Sequence, residues 1–236
     1  MVKLIAFDLD GTLTQHKTQL SDETRAILDA LSEKYSLVMV GAGRCERIFA
    51  QMNEYPIDII GNYGLEVSEY DRNSQTLVNT ESHKFACDRE SVEARVMDLR
   101  HRFGFTEYRG DSVEFHDSGC ITFAILGTKA IQEDKLAFDP DRAKRRKIYK
   151  EVCAAFPEYT VFIGGSSSFD MAPAPYDKRY ALEVYCKARG IAPDEVIFVG
   201  DDYGEGGNDE SVYKSDFGFI KIDDYRLFGE AVKELL

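Results

Sequence analysis

Short apolar runs that alternate with helical segments constrain the fold of this chain most. Leu4–Phe7 and Leu37–Val40 are wholly apolar, Ile57–Ile60 is apolar except for Asp58, and each is followed by glycine or a polar turn. Between these runs, apolar residues recur at helical spacing after Ser21 and again through Arg47–Met52. Strand, helix, strand, helix and strand in this order indicate a parallel sheet with right-handed crossovers. We therefore predict an α/β fold.

The pattern changes class in the middle of the chain. Residues 66–79 look like a polar hairpin, and the residues beyond it mix helical spacing with short alternating strands: Glu90–Phe103, Ser112–Leu126, Asp141–Phe156 and Tyr159–Met171. The α/β pattern resumes with a helix at Lys178–Arg189 and an apolar strand at Val196–Val199. We predict a core domain of residues 1–79 and 176–236, and an inserted α+β domain of residues 80–175.

Composition narrows the classes of partner. The chain has 236 residues, of which 44% are hydrophobic, and this is enough for one domain and a smaller second one. A formal charge of −13 argues against nucleic-acid binding and means that an anionic substrate needs local cations or a metal. The five cysteines are scattered without metal-ligand spacing, so we interpret them as reduced thiols of a cytoplasmic protein. No signal pattern and no long apolar run occurs, so we expect neither secretion nor a membrane span.

Two acids follow the first predicted strand directly. Asp8 and Asp10 stand two residues apart, and Gly11 and Thr12 then turn the chain away. Side chains at i and i+2 of an extended chain point to the same side, so both acids would face the crevice beyond the carboxyl end of the strand. Two anions this close repel unless a cation or a shared proton lies between them. The motif fits a Mg²⁺-assisted nucleophile with an acid/base partner, and by itself it also fits an Asp-rich turn with a helix cap.

Further polar residues stand at other predicted strand ends and at one helix start, and they carry a family resemblance. They are Gly41–Arg44, Lys178, and Asp201 with Asn208 and Asp209. DLDGTLT, the lysine between the predicted domains, and GDD…GGND together resemble the haloacid dehalogenase (HAD) superfamily of phosphatases and phosphomutases. SVEFHDSG, IGGSSSFDMAPAPYDKRYAL and FVGDDYGEGGNDESVY resemble its eukaryotic-type phosphomannomutase group, along essentially the whole chain.

The resemblance implies a Rossmann-like HAD core with an α+β cap inserted after the third strand. It implies that Asp8 is the nucleophile, which forms an aspartyl phosphate, and that Asp10 is the general acid/base. It also implies a Mg²⁺ ion bound by carboxylate oxygens of Asp8 and Asp201 and by the backbone carbonyl of Asp10. A hard cation with oxygen ligands would neutralise the repulsion between a carboxylate and a phosphate dianion.

Supporting roles follow from the same resemblance. Lys178 would hold the nucleophile and the developing charge on the phosphoryl group, and Asn208 and Asp209 would orient the lysine and the outer metal shell. Ser168 and Asp170 match cap positions that contact the sugar. The alternatives are a surface lysine at a helix start, an ordinary loop acid and an ordinary strand edge.

The sequence departs from the superfamily pattern after the second strand. The superfamily usually places a Thr or Ser there to hydrogen-bond the transferring phosphoryl group, whereas this chain has Gly41–Arg44. Backbone N–H groups of the turn at Gly43, assisted by Arg44, could still cradle a phosphate.

A second departure lies in the cap. The mutase group carries several arginines that clamp the distal phosphate of the substrate, and this chain has other residues near those places: His116, Thr128, Lys129 and Lys135. Lysine is a point charge, whereas arginine offers phosphate a bidentate fork. A mutase must hold a bisphosphate while it turns around, so this loss favours hydrolysis. Arg109 is a candidate to compensate, and we interpret Arg142–Lys147 as a solvated helix face rather than a phosphate site.

The sequence thus predicts a Mg²⁺-dependent phosphohydrolase that acts on a small phosphorylated metabolite. A hexose phosphate is the leading candidate for this substrate. The alternative is a phosphomannomutase that works through a bisphosphorylated hexose. A third hypothesis is a sugar-phosphate-binding protein that has lost turnover, and the intact set of Asp8, Asp10, Lys178 and Asp201 argues against it. The resemblance also offers a homodimer that pairs through the cap, by analogy alone.

Overall fold

The computed structural model describes all 236 residues. The strands are β1 (Leu4–Phe7), β2 (Ser36–Val40), β3 (Asp58–Gly61), β4 (Glu66–Asp71), β5 (Thr76–Ser82), β6 (Val113–Phe115), β7 (Ile121–Ala124), β8 (Tyr159–Phe162), β9 (Ser168–Pro173), β10 (Val196–Gly200) and β11 (Gly218–Lys221). The helices are α1 (Asp22–Ser32), α2 (Cys45–Gln51), α3 (Arg89–Phe103), α4 (Gln132–Phe138), α5 (Ala143–Ala155), α6 (Lys178–Arg189), α7 (Glu210–Tyr213) and α8 (Phe228–Val232). None of these helices combines the length and apolar character that crossing a membrane requires.

The chain divides into two compact units. We call the first the core unit (Met1–His83, Asp177–Gly204 and Asp209–Leu236) and the second the cap unit (Lys84–Tyr176 and Glu205–Asn208). The predicted domain limits, at 79/80 and 175/176, fall close to these divisions. The short segment Glu205–Asn208, which the sequence placed with the core, groups with the cap unit because Ile163 donates its backbone N–H to the carbonyl of Gly206 at 2.7 Å.

A seven-stranded, mostly parallel sheet forms the centre of the core unit. Its strand order is β11-β10-β1-β2-β3-β4-β5, and the first five of these strands are parallel. The predicted polar hairpin is β4 and β5, which add two antiparallel strands at one edge. The predicted α/β class is therefore confirmed.

Alternation along the central strands builds an apolar layer on each face of this sheet. On β1, Ile5 and Phe7 pack into one buried cluster, and Leu4 and Ala6 pack into another. Successive strand residues point to opposite faces, so a strand covered on both faces must be apolar throughout. This is why the short apolar runs of the sequence form the middle of the sheet.

The cap unit is α+β. Its four strands form an antiparallel sheet in the order β6-β7-β9-β8. Phe123 and Phe169 stack at 6.0 Å between ring centroids, and Val96 of α3 and Val152 of α5 join the same buried cluster. The class change inferred from the sequence is thus present in the structure.

One prediction about the cap unit is wrong. Arg142–Lys147 is not uniformly a solvated face, because Arg145 is fully buried. Its Nε donates to Oδ2 of the buried Asp139 at 2.8 Å, and its Nη1 donates to the carbonyls of Gly164 at 2.6 Å and Ser168 at 3.0 Å. A guanidinium can be buried only when partners of this kind replace water. The surrounding charged residues suggested an exposed segment, but Arg145 lies on the buried face of the helix together with Ile148 and Val152.

Candidate active site

Strand pairing brings two of the predicted acids together in the core unit. β1 pairs with β10 in parallel, with Phe7 opposite Val199, and the N–H of Asp8 donates to the carbonyl of Val199 at 2.9 Å. Asp8 follows the end of β1, and Asp201 follows the end of β10. Neighbouring parallel strands end at the same edge of a sheet, so the two carboxylates converge there.

The turn after Asp8 is shaped around the carboxylate of Asp201. Gly11 has φ of +100°, and a Cβ atom at this position would lie 2.7 Å from Cγ and 2.9 Å from Oδ1 of Asp201. The turn therefore needs glycine both for its backbone conformation and for the close approach. The buried Thr12 places Oγ1 3.0 Å from Oδ1 of Asp201 and 3.4 Å from Oδ2 of Asp8. Sequence reasoning used Thr12 only as a turn residue and missed this contact.

Lys178 is the cation of the cluster. It is the first residue of α6, which begins where the side chain of Asp177 accepts a hydrogen bond from the N–H of Tyr180 at 2.7 Å. The fully buried Nζ of Lys178 donates to Oδ1 of Asp8 at 2.5 Å and to Oδ1 of the fully buried Asp209 at 2.7 Å. Burial lowers the pKa of Lys178, but the charges of Asp209 and Asp8 outweigh it and raise the pKa above its ordinary value. The lysine is therefore charged.

The acids outnumber the cation. Asp8, Asp201 and Asp209 each offer a carboxylate oxygen, and these three oxygens lie within 4.8 Å of one another. Burial, together with the charges of Asp8 and Asp209, raises the pKa of Asp201 to about 8. Burial is also the largest cause that raises the pKa of Asp209, to about 6, although the charge of Lys178 opposes it. Three carboxylates around one ammonium group fit a divalent metal that prefers oxygen ligands. Asp209, for which the resemblance implied a role in the outer metal shell, thus offers a carboxylate oxygen within the same cluster.

Asp10 has different surroundings from Asp8. Its Oδ1 accepts hydrogen bonds from Nε2 of Gln51 and from the N–H of Lys17, both at 2.7 Å. Its Oδ2 lies 3.7 Å from Nη1 of Arg47. Asp8 is buried against an ammonium group, whereas Asp10 is partly exposed and held by an amide. Two acids in unlike environments can take separate roles in one reaction. The sequence did not single out Gln51 or Arg47, and the available signal was their spacing of four residues on one face of α2.

The side chain of Arg44, in the turn after β2, has acidic neighbours. Arg44 pairs with Glu46 at 2.9 Å and lies 3.8 Å from Glu66. Glu66 also accepts a hydrogen bond from the N–H of Cys45 at 3.2 Å, which is the first N–H of α2. The structure shows the side chain of Arg44 engaged with two glutamates, and it shows no polar group of Gly43 in contact with Asp8.

In the cap unit, Asp170 lies on a short hydrogen-bonded chain. Thr122 faces Asp170 in the register of β7 and β9, and its Oγ1 donates to Oδ1 of Asp170 at 3.0 Å. Nε2 of His116 lies 3.2 Å from the same Oγ1. Burial raises the pKa of Asp170. Ser168, two residues before it, donates to the carbonyl of Gly164 at 3.1 Å.

The other predicted cap residues lie near one another along the chain, and one contact joins two of them. Lys129 is exposed, and Nζ of Lys135 lies 3.5 Å from the carbonyl of Thr128. Arg109 pairs by its backbone with Leu126 and Lys129, both at 2.9 Å, so it lies beside the stretch where arginines are missing. Asn208 groups with the cap unit.

Comparison with known proteins decides the family. The family model described as haloacid dehalogenase-like hydrolase matches residues 5–210. The chain belongs to this family. Among curated relatives of this HAD-like hydrolase, the phosphomannomutase of Saccharomyces cerevisiae is 28% identical over 221 residues, covering 89% of this chain and 84% of that protein. The phosphomannomutase of Triticum aestivum is 27% identical over 225 residues, covering 90% of this chain and 86% of that protein. The resemblance to the HAD superfamily and its phosphomannomutase group is confirmed.

Solved structures agree on the fold. IMP-nucleotidase of Plasmodium falciparum superposes with a TM-score of 0.66 at 16% identity, covering 99% of this chain and 68% of that chain. A HAD-superfamily phosphatase of Bacteroides thetaiotaomicron gives a TM-score of 0.65 at 15% identity, covering 100% and 95% of the two chains. At these identities the likeness shows the HAD fold alone, and the reaction has to be inferred from the residues of the site.

Proposed function

We propose that this HAD-family enzyme transfers a phosphoryl group from a hexose phosphate to Asp8, with Mg²⁺ in the acidic cluster. The observation that carries the proposal is the cluster of Asp8, Asp201 and Asp209, whose carboxylate oxygens lie within 4.8 Å of one another, with the buried Lys178 donating to two of these acids. A carboxylate oxygen of Asp8 attacks phosphorus, the bond from phosphorus to the sugar oxygen breaks, and Asp10 protonates that oxygen. Bound Mg²⁺ would neutralise charge between the carboxylate and the phosphate.

The second half of the reaction returns Asp8. Asp10, now a carboxylate held by Gln51, accepts a proton from the incoming hydroxyl group, whose oxygen attacks phosphorus and releases Asp8. Lys178 keeps its proton throughout and offsets the charge of Asp8 as the aspartyl phosphate breaks. The incoming hydroxyl group decides the class of enzyme, because a sugar hydroxyl gives a mutase and water gives a phosphatase.

We propose phosphomannomutase activity as the leading candidate. Relatives with that name match along nearly nine-tenths of the chain, whereas the phosphatases among the solved structures share only the fold. The phosphatase that the sequence predicted is the second candidate. The sequence favours it, because His116, Thr128, Lys129 and Lys135 lie near the places where the mutase group has arginines and none of them is an arginine.

One assay separates the two candidates. Mannose 1-phosphate is supplied with Mg²⁺ and a hexose bisphosphate activator, and mannose 6-phosphate and inorganic phosphate are both measured. Mannose 6-phosphate without stoichiometric inorganic phosphate supports the mutase, and the reverse result supports the phosphatase. Asp8→Asn should abolish either product, with the exposed Asp194→Asn as the matched control. Unchanged turnover in Asp8→Asn across a panel of phosphate esters would contradict both candidates.

The proposal also covers the cellular location and the oligomeric state of the protein. By analogy with the phosphomannomutase group alone, we propose a cytoplasmic setting and a homodimer that pairs through the cap unit. Light scattering of the purified protein tests the pairing, since a monomer mass at all concentrations contradicts it.

A further inference from the structure

The buried side-chain amide of Gln51 is held in one orientation by its neighbours. Nη1 of Arg47 lies 2.9 Å from Oε1 of Gln51. Because a guanidinium group can only donate hydrogen bonds, the amide atom that faces it must be the oxygen. The amide nitrogen, Nε2, lies 3.2 Å from Oγ1 of the buried Thr14, whose hydroxyl group donates to the carbonyl of Leu9 at 3.4 Å and is therefore free to accept. Gln51 cannot turn its amide over without losing both bonds.

The guanidinium group of Arg47 has its place because Gly43 lacks a side chain. A Cβ atom built on Gly43 would lie 2.5 Å from Nε and 2.7 Å from Cζ of Arg47. Such distances exclude any side chain at position 43 while Arg47 keeps its contact with Gln51. Gly43 therefore allows the position of Arg47, and Arg47 in turn fixes the amide orientation of Gln51.

The two carboxylate oxygens of Asp10 have unlike surroundings. Oδ1 accepts hydrogen bonds from Nε2 of Gln51 and from the N–H of Lys17, both at 2.7 Å. A carboxyl oxygen that accepts two such hydrogen bonds has both lone pairs occupied and none left for a proton. Oδ2 lies 3.7 Å from Nη1 of Arg47 and 4.0 Å from Nδ1 of His16, so it accepts a hydrogen bond from neither. When Asp10 is protonated, the proton is therefore on Oδ2.

We propose that Gln51 is a positioning residue that confines the acid/base chemistry of Asp10 to Oδ2. This inference rests on the proposed phosphoryl transfer to Asp8. In the first half of that reaction, the O–H bond at Oδ2 breaks as the sugar oxygen leaves phosphorus and takes the proton. In the second half, Oδ2 takes a proton from the incoming hydroxyl group.

Two features of the geometry suit this role. Oδ1 stays bound to Gln51 and Lys17 in both halves of the reaction, so the carboxylate of Asp10 does not have to rotate between them. The positive charge of Arg47, 3.7 Å from Oδ2, stabilises the carboxylate that remains when the proton has left.

Two variants separate positioning of the proton from packing. Gln51→Glu keeps the size of the side chain and an oxygen that accepts from Arg47, but it places a second carboxyl oxygen against Oδ1 of Asp10. Two carboxyl oxygens this close share a proton, which removes the proton from Oδ2. Gln51→Met keeps the length of the side chain and only removes the hydrogen bond to Oδ1. The exposed Gln19→Met is the matched control.

Release of the leaving group in a single turnover with Mg²⁺ is measured for two phosphoryl donors. The sugar oxygen must be protonated as it leaves mannose 1,6-bisphosphate, whereas p-nitrophenolate leaves p-nitrophenyl phosphate as a stable anion. Gln51→Glu should lower the rate with the bisphosphate about 100-fold, the loss typical of a general acid, and Gln51→Met should lower it less. Both variants should release p-nitrophenolate at the wild-type rate, which also shows that they are folded.

The control and the contrary outcomes are equally definite. Gln19→Met should match the wild type with both donors. Equal losses with both donors, or no loss with the bisphosphate in Gln51→Glu, would overturn the inference.

A neutron structure of the deuterium-exchanged wild-type protein gives a readout that does not need turnover. The two amide deuterons of Gln51 should point to Oδ1 of Asp10 and to Oγ1 of Thr14, and no deuteron should be bound to Oδ1. An amide oxygen that faces Asp10, or a deuteron on Oδ1, overturns the inference even if Asp8→Asn abolishes turnover. If the wild type releases no leaving group from either donor, the proposed function fails and the neutron structure alone decides whether Gln51 holds Oδ1 as inferred.

Discussion

Replacing Lys178 by methionine should destabilise the core unit in a pH-dependent way. Methionine keeps most of the side-chain volume and removes the only ammonium group that contacts Asp8 and Asp209, at 2.5 and 2.7 Å. The three acids whose oxygens lie within 4.8 Å then face one another without a cation. We expect loss of phosphoryl transfer as well, since nothing offsets the charge of the nucleophile.

The size of the effect follows from burial. Removing one partner of a buried ion pair costs about 3–5 kcal/mol. The two ion pairs share Lys178, and the acids can take up protons, so the free-energy costs of losing the two pairs do not add. The total loss of stability at neutral pH should be about 3–5 kcal/mol. The charge of Lys178 lowers the pKa of both Asp201 and Asp209. Its removal should therefore raise the pKa of Asp201 beyond about 8 and that of Asp209 beyond about 6.

The sign of the pH dependence follows from these raised pKa values. A carboxyl group whose pKa is raised by folding stabilises the folded state below its unfolded pKa, and this contribution is lost as pH rises through the folded pKa. Lys178→Met should therefore lose little stability at pH 5 and most at pH 8 to 9.

Urea denaturation of the metal-free proteins, followed by circular dichroism at pH 5, 7 and 9, measures the difference in unfolding free energy. Lys233→Met is the matched control, since Lys233 is exposed and pairs only with Glu230. A loss below about 1 kcal/mol at pH 9, or one that is equal at pH 5 and 9, refutes the reasoning, because a broken buried pair costs more than a surface pair.

Three further predictions concern the metal, the turn and the cap unit. Because the pKa of Asp201 is about 8 without metal, Mg²⁺ must displace a proton, so calorimetry should show Mg²⁺ affinity that falls about tenfold per pH unit below pH 8 and levels off above it. Gly11→Ala should lose Mg²⁺ binding in the same assay, because its Cβ would lie 2.7 Å from Cγ of Asp201; unchanged affinity contradicts the close approach. Arg145→Met should lower the unfolding free energy by about 3–5 kcal/mol, since it leaves Asp139 buried and unpaired, whereas the exposed neighbour Arg146→Met should change it by less than about 0.5 kcal/mol.

The fold was largely readable because apolar patterning is a local signal. Central strands buried on both faces must be apolar throughout, so the apolar runs Leu4–Phe7 and Val196–Val199 could be identified as strands from the sequence. The helix at Lys178–Arg189 ends as predicted, with Gly190 in the left-handed region at φ of +64°. The short helix α4 and the burial of Arg145 escaped prediction, because each depends on what packs against the segment.

The candidate site shows the same distinction between local patterns and tertiary contacts. The sequence alone determined which residue types stand at the strand ends, and hence Asp8, Asp10, Lys178 and Asp201 as candidates. Only the tertiary structure decided which side chains meet: Asp209 joins Asp8 and Asp201 within 4.8 Å, Gln51 holds Asp10, and Arg47 fills the space beside Gly43. Strand-end chemistry repeats within a few residues and is visible in the chain, whereas Gln51 and Asp10 are 41 positions apart and Thr12 and Asp201 are 189 positions apart. Distances between such residues are set by strand register and helix packing, which no local pattern records.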